Sequence, residues 1–227
     1  MTFLTEQELR NSIYLDFEGE GKKSDGTIPI PHMAGIFRPN IKGNGGKYES
    51  IFFNEFWKPV SKGFYQYSKV TCFEDYFIEL LKELETKECN LIIWTEHEEK
   101  ILKEFLQNKT FEKIIKYIYN IHPRARMYAN SRNVFGIGVT ARGKSLEEMY
   151  QALYPNRQPF APIAHGAAET CRRVDDACRR NIRWNSFTDI QKSYAKDLVA
   201  YNKGDCHSTW LIAKKIWNAQ YNNRGTN

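Results

Sequence analysis

The sequence predicts an α/β protein, with a sheet in the first part of the chain and helices in the second. Short β-prone runs separated by glycine-rich turns come first. From residue 73 onward the apolar residues mostly take the spacing of amphipathic helices, interrupted by one short apolar run at 90–94. The chain has 227 residues, of which 41% are hydrophobic, and this is enough for a sizeable core. We therefore expect one domain, 1–227, in which helices flank a mixed sheet in three layers.

The strands are predicted from the β-prone runs and from the turns between them. A turn at 19–26 follows the first run, and Lys42-Gly-Asn-Gly-Gly46 is typical of a hairpin turn. Three strands joined by such connections form an antiparallel meander, after which a fourth strand alternates with helices. The predicted strands are 12–17, 31–38, 48–56 and 90–94.

The helices are predicted from apolar residues that recur every three or four positions. Ser145 and Glu148 form a capping box at the start of one of them. Near the end of the chain Gly204 favours a boundary between two helices. The predicted helices are 73–84, 98–107, 111–121, 146–153, 170–183, 186–201 and 205–219.

Composition narrows the class of protein. No apolar run approaches the roughly 20 residues needed to cross a bilayer, and the N-terminal residues lack the basic and apolar regions of a signal peptide. The five cysteines are odd in number and form no Cys-x-x-Cys pair, which disfavours a disulfide framework or a zinc site. We therefore expect a cytoplasmic protein with reduced thiols and no membrane partner.

The net charge of +6 is concentrated in one segment. Residues 124–183 contain eleven Lys and Arg against five Asp and Glu, so this segment alone carries +6. Most of these cations are arginines, whose planar guanidinium suits bidentate contacts with phosphate. The segment predicts a surface for a nucleic-acid backbone, and the alternative is a set of solvated helix faces.

The chemistry is predicted to centre on the first strand. In a strand, residues two apart point to the same face and lie roughly 6–7 Å apart. Asp16 and Glu18 therefore project from one face, while Ile13, Leu15 and Phe17 fill the other. Two neighbouring carboxylates are costly unless a cation shares them, and oxygen ligands favour Mg²⁺ or Mn²⁺. The alternative is a strand that leaves the core at this point.

Two later segments offer further ligands. The acids after the fourth strand lie where α/β proteins build sites, although a helix N-terminus favours acids in any case. Tyr201 and Asp205 are four residues apart, so on a continuous helix they share a face with Thr209. The candidates after the fourth strand are Glu96, Glu98 and Glu99.

These three motifs follow one another over most of the sequence: Asp16-Phe-Glu18, the acids after the fourth strand, and Tyr201-x-x-x-Asp205. In this order they resemble the DEDD superfamily of 3′–5′ exonucleases, which have a ribonuclease H-like fold, and the tyrosine-containing DEDDy type in particular. Tyr-Leu-Asp-Phe-Glu together with Tyr-Asn-x-x-Asp-Cys-x-x-Thr is especially similar to the uncharacterised ribonuclease H-like domains that occur alone or fused to RecB-type nucleases.

The resemblance implies two divalent ions, Mg²⁺ or Mn²⁺, and a Tyr201 that orients or helps to deprotonate the attacking water. Among the later acids Glu98 is chosen because it precedes Leu102 by four residues, which matches the acid-to-leucine spacing of the similar domains; Glu99 is the alternative. The metal ligands implied are Asp16, Glu18, Glu98 and Asp205.

The activity implied is hydrolysis of phosphodiester bonds in DNA or RNA, from a 3′ end. The second motif departs from the superfamily, which has Asp where this chain has Glu. A rival reading is therefore a non-catalytic nucleic-acid-binding module with the same fold. A third is an unrelated protein-interaction domain, for which no salt-sensitive affinity for nucleic acid is expected.

Overall fold

The computed structural model describes residues 4–21, 23–40, 42, 45–64, 68–157 and 163–222. The strands in these ranges belong to one six-stranded sheet. They are β1 Ile13–Glu18, β2 Met33–Pro39, β3 Gly46–Phe52, β4 Ser68–Val70, β5 Leu91–Ile93 and β6 Ile118–Asn120.

The sheet has the order β4-β3-β2-β1-β5-β6 and is mixed, as the sequence predicts. β1 pairs antiparallel with β2, and β2 pairs antiparallel with β3, which is the predicted meander. β5 lies parallel to β1 on its other side, and β6 lies parallel to β5. Parts of the predicted turn at 42–46 lie outside the described residues, but the Asn40 amide donates to the Gly45 carbonyl at 2.7 Å across it.

Helices cover both faces of this sheet. One face carries α3, α4 and α5, and the other carries the remaining helices. The described helices are α1 Glu6–Asn11, α2 Lys58–Gly63, α3 Phe73–Lys87, α4 Glu96–Phe105, α5 Asn108–Ile114, α6 His122–Ser131, α7 Leu146–Leu153, α8 Ala167–Arg180 and α9 Asp189–Asn222. None of the helices in the described ranges combines the length and the apolar character needed to cross a bilayer.

Successive side chains of β1 point to opposite faces of the sheet and so belong to two different cores. Ile13, Leu15 and Phe17 pack against α3 and α4, where aromatic rings are dense. Tyr14 belongs to the opposite core, together with α9. Asp16 and Glu18 have the parity of Tyr14, so they point towards α9, as the period of two predicts.

Several element predictions differ from the structure. The predicted helix 111–121 is α5, a 3-10 turn Ile115–Tyr117 and strand β6, because its isoleucines also suit a short strand next to β5. The short strand β4 and the helices α1, α2 and α6 were not predicted. The two predicted closing helices are one, α9, which passes through Gly204 without interruption because it is packed along its length.

A candidate metal centre

Three carboxylates meet between the sheet and α9. Asp16 and Glu18 come from β1, and Asp205 comes from α9. One oxygen of each lies within 4.8 Å of the others, which is a spacing that can hold a metal ion. The sequence places these residues almost two hundred positions apart, and the structure brings them together on the side of the sheet that the prediction requires.

Packing of α9 explains why Asp205 arrives at this point. Leu198, Asn202, Cys206 and Thr209 form a buried stripe that lies on β1 and β2. The Cys206 thiol donates to the Gly35 carbonyl of β2 at 3.3 Å. Because Asp205 borders this stripe, docking the stripe on the sheet directs its carboxylate towards β1.

Asn202 links the helix to both carboxylates of β1. Its Nδ2 donates to Asp16 Oδ2 at 2.6 Å and lies 3.4 Å from Glu18 Oε1. Its Oδ1 accepts a hydrogen bond of 2.8 Å from the hydroxyl of Tyr48 on β3. The side chain is fully buried, so this chain of hydrogen bonds fixes the orientation of two of the three acids.

Gly35 makes room for that amide. It pairs with Asp16 across the β1–β2 ladder. A Cβ at this position would lie 1.7 Å from Asn202 Oδ1 and 2.8 Å from its Cγ. A glycine inside a strand often marks such a close approach, and here it is what allows α9 to lie against the sheet.

Electrostatics of the site favour a cation. Burial, followed by the charges of neighbouring carboxylates, holds the pKa of Asp16 well above its ordinary value. Burial and the charge of Asp205 raise the pKa of Glu18 to about 8. Burial raises the pKa of Asp205 to about 7, although a hydrogen bond from Tyr201 opposes the shift. The close approach of the three carboxylates therefore disfavours their ionised forms. A bound cation would offset this cost.

Tyr201 lies at the edge of the group. Its side chain hydrogen-bonds Asp205, one turn further along α9. Burial and the charge of Asp205 raise the pKa of its phenol well above the usual value, so the group is neutral at neutral pH. Glu147, in the first turn of α7, acts electrostatically on both residues and marks the far rim of the site.

Glu98 lies outside the group of three. Its Oε2 accepts from the Thr95 amide at 3.0 Å and from the Thr95 hydroxyl at 2.9 Å, and the Thr95 hydroxyl in turn accepts from the His97 amide. This is a capping box at the start of α4. Glu98 is buried, and its charge reaches Asp16 and Asp205, so it lies near the site without joining the acids.

The residues present fit a hard divalent cation. All three converging ligand atoms are carboxylate oxygens, which are the donors that Mg²⁺ and Mn²⁺ prefer. A cavity of about 180 Å³ adjoins Glu18 between the start of α4 and the start of α8. The centre therefore has both ligand oxygens and adjacent space for a small molecule or part of a larger one.

The arginines of α8 are engaged within their own helix. Arg172 and Arg173 both pair with Glu169. The Asp175 carboxylate, itself buried, accepts from Arg179 at 2.6 Å. These ion pairs suit the alternative of a solvated helix face better than a surface of unpaired phosphate ligands.

Sequence reasoning assigned no role to Asn202, Tyr48 or Gly35. The signal for Asn202 is an amide within an otherwise buried stripe of a helix, since a buried polar side chain requires partners. The signal for Gly35 is a glycine within a β-prone run. Tyr48 offers no local signal, because its partner lies 154 residues away.

Comparisons with protein-family models, with curated proteins and with solved structures give no match. The inference of function therefore rests on the geometry of this chain and on the order of its motifs.

Proposed function

We propose that this protein is a metal-dependent nuclease that hydrolyses phosphodiester bonds of DNA or RNA, of the DEDDy 3′–5′ exonuclease type. The observation that carries the proposal is the convergence of Asp16, Glu18 and Asp205, with their oxygens within 4.8 Å of one another. Structural acids are normally kept apart or paired with cations, whereas Glu18 is buried and the partly buried Asp16 and Asp205 lie beside it.

Phosphodiester hydrolysis suits such a site. Bound Mg²⁺ or Mn²⁺, as one ion or as the expected pair, would supply a nucleophile at neutral pH and neutralise the charge of the leaving oxygen. Asp16, Glu18 and Asp205 would hold the metal, and Asn202 would keep the first two in position. The adjoining cavity would receive part of the substrate.

In this proposal Tyr201 does not act as a general base. A phenol with a raised pKa stays protonated at neutral pH, so it can donate a hydrogen bond but cannot accept the proton of water efficiently. Its hydrogen bond to Asp205 leaves it at the edge of the acids. We assign it to the orientation of the attacking water or of the phosphate.

The sheet supports the choice of family. A ribonuclease H-like fold requires an antiparallel meander followed by parallel strands, with helices on both faces. The described strands follow this plan, since β1, β2 and β3 are antiparallel and β5 and β6 run parallel to β1. Within such a sheet the acids of β1 lie on the central strand, where the antiparallel and the parallel parts of the sheet meet.

The test is degradation of 5′-labelled single- and double-stranded DNA and RNA in Mn²⁺ or in chelator. We expect Mn²⁺-dependent shortening from the 3′ end, and at least a hundredfold loss of rate in Asp16→Asn, which removes a ligand charge. Asp176→Asn is the matched control, because Asp176 is an exposed acid whose carboxylate lies 3.9 Å from the guanidinium of Arg180 on α8. Equal activity of Asp16→Asn and wild type would refute the proposal.

A second candidate is a nucleic-acid-binding module without catalysis. The observation that favours it is Glu98, whose carboxylate caps α4 instead of joining the other three acids. Calorimetric titration with Mn²⁺ separates the two, since the binding module has no metal affinity that depends on Asp16. Its nucleic-acid affinity would still fall with rising salt.

A further inference from the structure

The loop between α6 and α7 exposes apolar side chains and is flanked by cationic residues. Residues 117–146 contain five Lys and Arg and no Asp or Glu. Within this stretch Ile137 is 93% exposed and Val139 is 49% exposed. Among the described residues, Ile137 is the most exposed of the large apolar side chains.

The loop is built as a fixed projection. Gly136 and Gly138, on either side of Ile137, have φ of 104° and 79°, a backbone that favours glycine. The Gly136 amide donates to the Asn133 carbonyl at 2.9 Å, and the Val139 amide donates to the Gly136 carbonyl at 3.2 Å. Two consecutive turns therefore present Ile137 at the tip.

Two arginines flank the base of this projection. The Ala141 amide donates to Asn130 Oδ1 at 2.8 Å, which brings the end of the loop back to the end of α6. Both arginines are close in sequence to this hydrogen bond: Arg132 precedes the loop, and Arg142 follows it. Both are exposed, and neither forms an ion pair with another described residue. Arg132 also borders a cavity of about 270 Å³ together with Arg124 and Met127.

A short series of contacts connects the loop to the carboxylates. The His122 imidazole hydrogen-bonds the backbone of Lys144, at the end of the loop. The same ring lies 5.0 Å from the ring of Trp94, which directly precedes the capping residue Thr95. On the other side, Glu147 lies one helical turn after Lys144 and acts on Asp205. Arg132, at the base of the projection, borders the same cavity as Ala219 of α9. Because Ala219 follows Asp205 by fourteen residues on this helix, the projection lies about 20 Å from the metal centre along α9.

We propose that the 133–140 loop binds nucleic acid at a junction between paired and unpaired strands, with Ile137 inserted between bases and with Arg132 and Arg142 on the flanking phosphates. Apolar wedges of this kind part stacked bases when cations hold the backbone on either side. The proposal rests on the nuclease function for its substrate class, and it adds the recognition of a junction at a distance from the cut.

The experiment measures binding in chelator, so that no cleavage occurs. The probe is a fluorescein-labelled DNA duplex with a 3′ single-stranded tail and 2-aminopurine at the last paired position. Wild type is expected to raise the 2-aminopurine fluorescence, because the base loses its stacking. Ile137→Ser should abolish this rise and weaken junction binding about tenfold, which is the effect of exposing one buried isoleucine. Ile182→Ser is the matched control, since Ile182 is 84% exposed and lies between α8 and α9.

The arginines are tested by salt dependence. Arg132→Ala combined with Arg142→Ala should lower the slope of log K against log salt by about 1.8, as expected for two lost phosphate contacts. Lys109→Ala combined with Lys113→Ala removes the same charge from α5, on the opposite face of the sheet, and should leave junction binding almost unchanged.

Distinct outcomes overturn the two proposals. Unchanged fluorescence and affinity in Ile137→Ser would overturn the loop proposal, even if Mn²⁺-dependent cleavage is present. Loop-dependent binding without cleavage under any metal would overturn the nuclease proposal alone. Ile137-dependent binding to phosphatidylserine vesicles, with no binding of the DNA junction, would show that the loop serves a membrane surface and would overturn its role in junction binding.

Discussion

Asn202 is the residue on which the arrangement of the acids depends. It contacts Asp16 and Glu18 through its amide nitrogen and Tyr48 through its amide oxygen. An amide suits this position because it carries no charge among three carboxylates and offers both a donor and an acceptor. Leucine would fill the same space but would leave Tyr48 and Asp16 without their partners.

Asn202→Ala should therefore weaken Mn²⁺ binding while leaving all three acids in place. We expect a loss of affinity of about 10–100-fold, as for other residues that orient metal ligands. The free energy of unfolding should fall by about 2 kcal/mol, because a buried hydroxyl and a carboxylate lose their partners. Calorimetric titration and urea denaturation measure the two effects.

Lys203→Ala is the control for that substitution, since Lys203 is the adjacent exposed residue of α9. Equal Mn²⁺ affinity in Asn202→Ala and wild type would show that Asp16 and Glu18 hold their positions without the amide.

Gly35→Ala tests the close approach of α9 to the sheet. The added Cβ would overlap Asn202 Oδ1, so either Asn202 or the helix must move. Overpacking of this kind costs about 1–3 kcal/mol, and we also expect weaker Mn²⁺ binding. Since the overlap involves Asn202, the double variant Gly35→Ala, Asn202→Ala should be destabilised by clearly less than the sum of the single changes.

Gly45→Ala is a matched change of glycine to alanine. A Cβ there would meet only Asn40 Nδ2, at 3.8 Å, among the described atoms. If the free-energy costs of Gly35→Ala and Asn202→Ala simply add in their double variant, the cost of Gly35→Ala does not arise from the overlap with Asn202.

At the scale of elements, sequence motifs predicted correctly the features that depend on neighbouring residues, such as a helix start or the two faces of a strand. The capping box of Ser145 and Glu148 begins α7 where expected, and the alternation of β1 assigns its two faces correctly. The break at Gly204 was wrong, because a weak local preference yields to burial of α9 along its length. β6 was missed because a short apolar run does not distinguish helix from strand.

The candidate site shows the same division. The shared face of Asp16 and Glu18 follows from the period of a strand, and the order of the motifs indicated that Asp205 would join them. Asn202, Tyr48 and Gly35 could not be assigned, because their contacts join elements 154 or more residues apart. Sequence identifies the chemistry of a side chain more readily than its distant partners.

The capping box of α4 leads to a prediction that decides the role of Glu98. Glutamine also completes a capping box, so Glu98→Gln should change the free energy of unfolding by less than about 0.5 kcal/mol. Glu98→Ala should lower it by about 1 kcal/mol. If capping is the main role, Glu98→Gln should keep most of the Mn²⁺ affinity, in contrast to Asp16→Asn. A loss as large as that of Asp16→Asn would instead make Glu98 a metal ligand, as the family resemblance implies.

At the scale of the whole molecule, the sheet separates a structural side from a functional side. The face that carries α3, α4 and α5 is filled by apolar side chains. The face that carries α9 combines an apolar core with the buried Glu18 and the partly buried Asp16 and Asp205. Stability on this second side is therefore linked to protons and cations through these acids.

This linkage predicts how stability changes with pH in the absence of metal. The pKa of Glu18 is raised to about 8 and that of Asp205 to about 7, while in the unfolded chain both titrate near pH 4. The folded state therefore binds more protons than the unfolded state between these values. The stability that this contributes is present below pH 4 and is lost as pH rises to 8.

In chelator the melting temperature should accordingly fall by about 5 °C or more between pH 5.5 and 8. Mn²⁺ should restore it at pH 8 and have little effect at pH 5.5, where protons compete for the same oxygens. Asp205→Asn removes one titrating group, so its melting temperature in chelator should depend less on pH. Thermal denaturation of both proteins across this range measures the effect, and equal slopes in the variant and wild type would contradict a partly buried, mutually repelling set of acids.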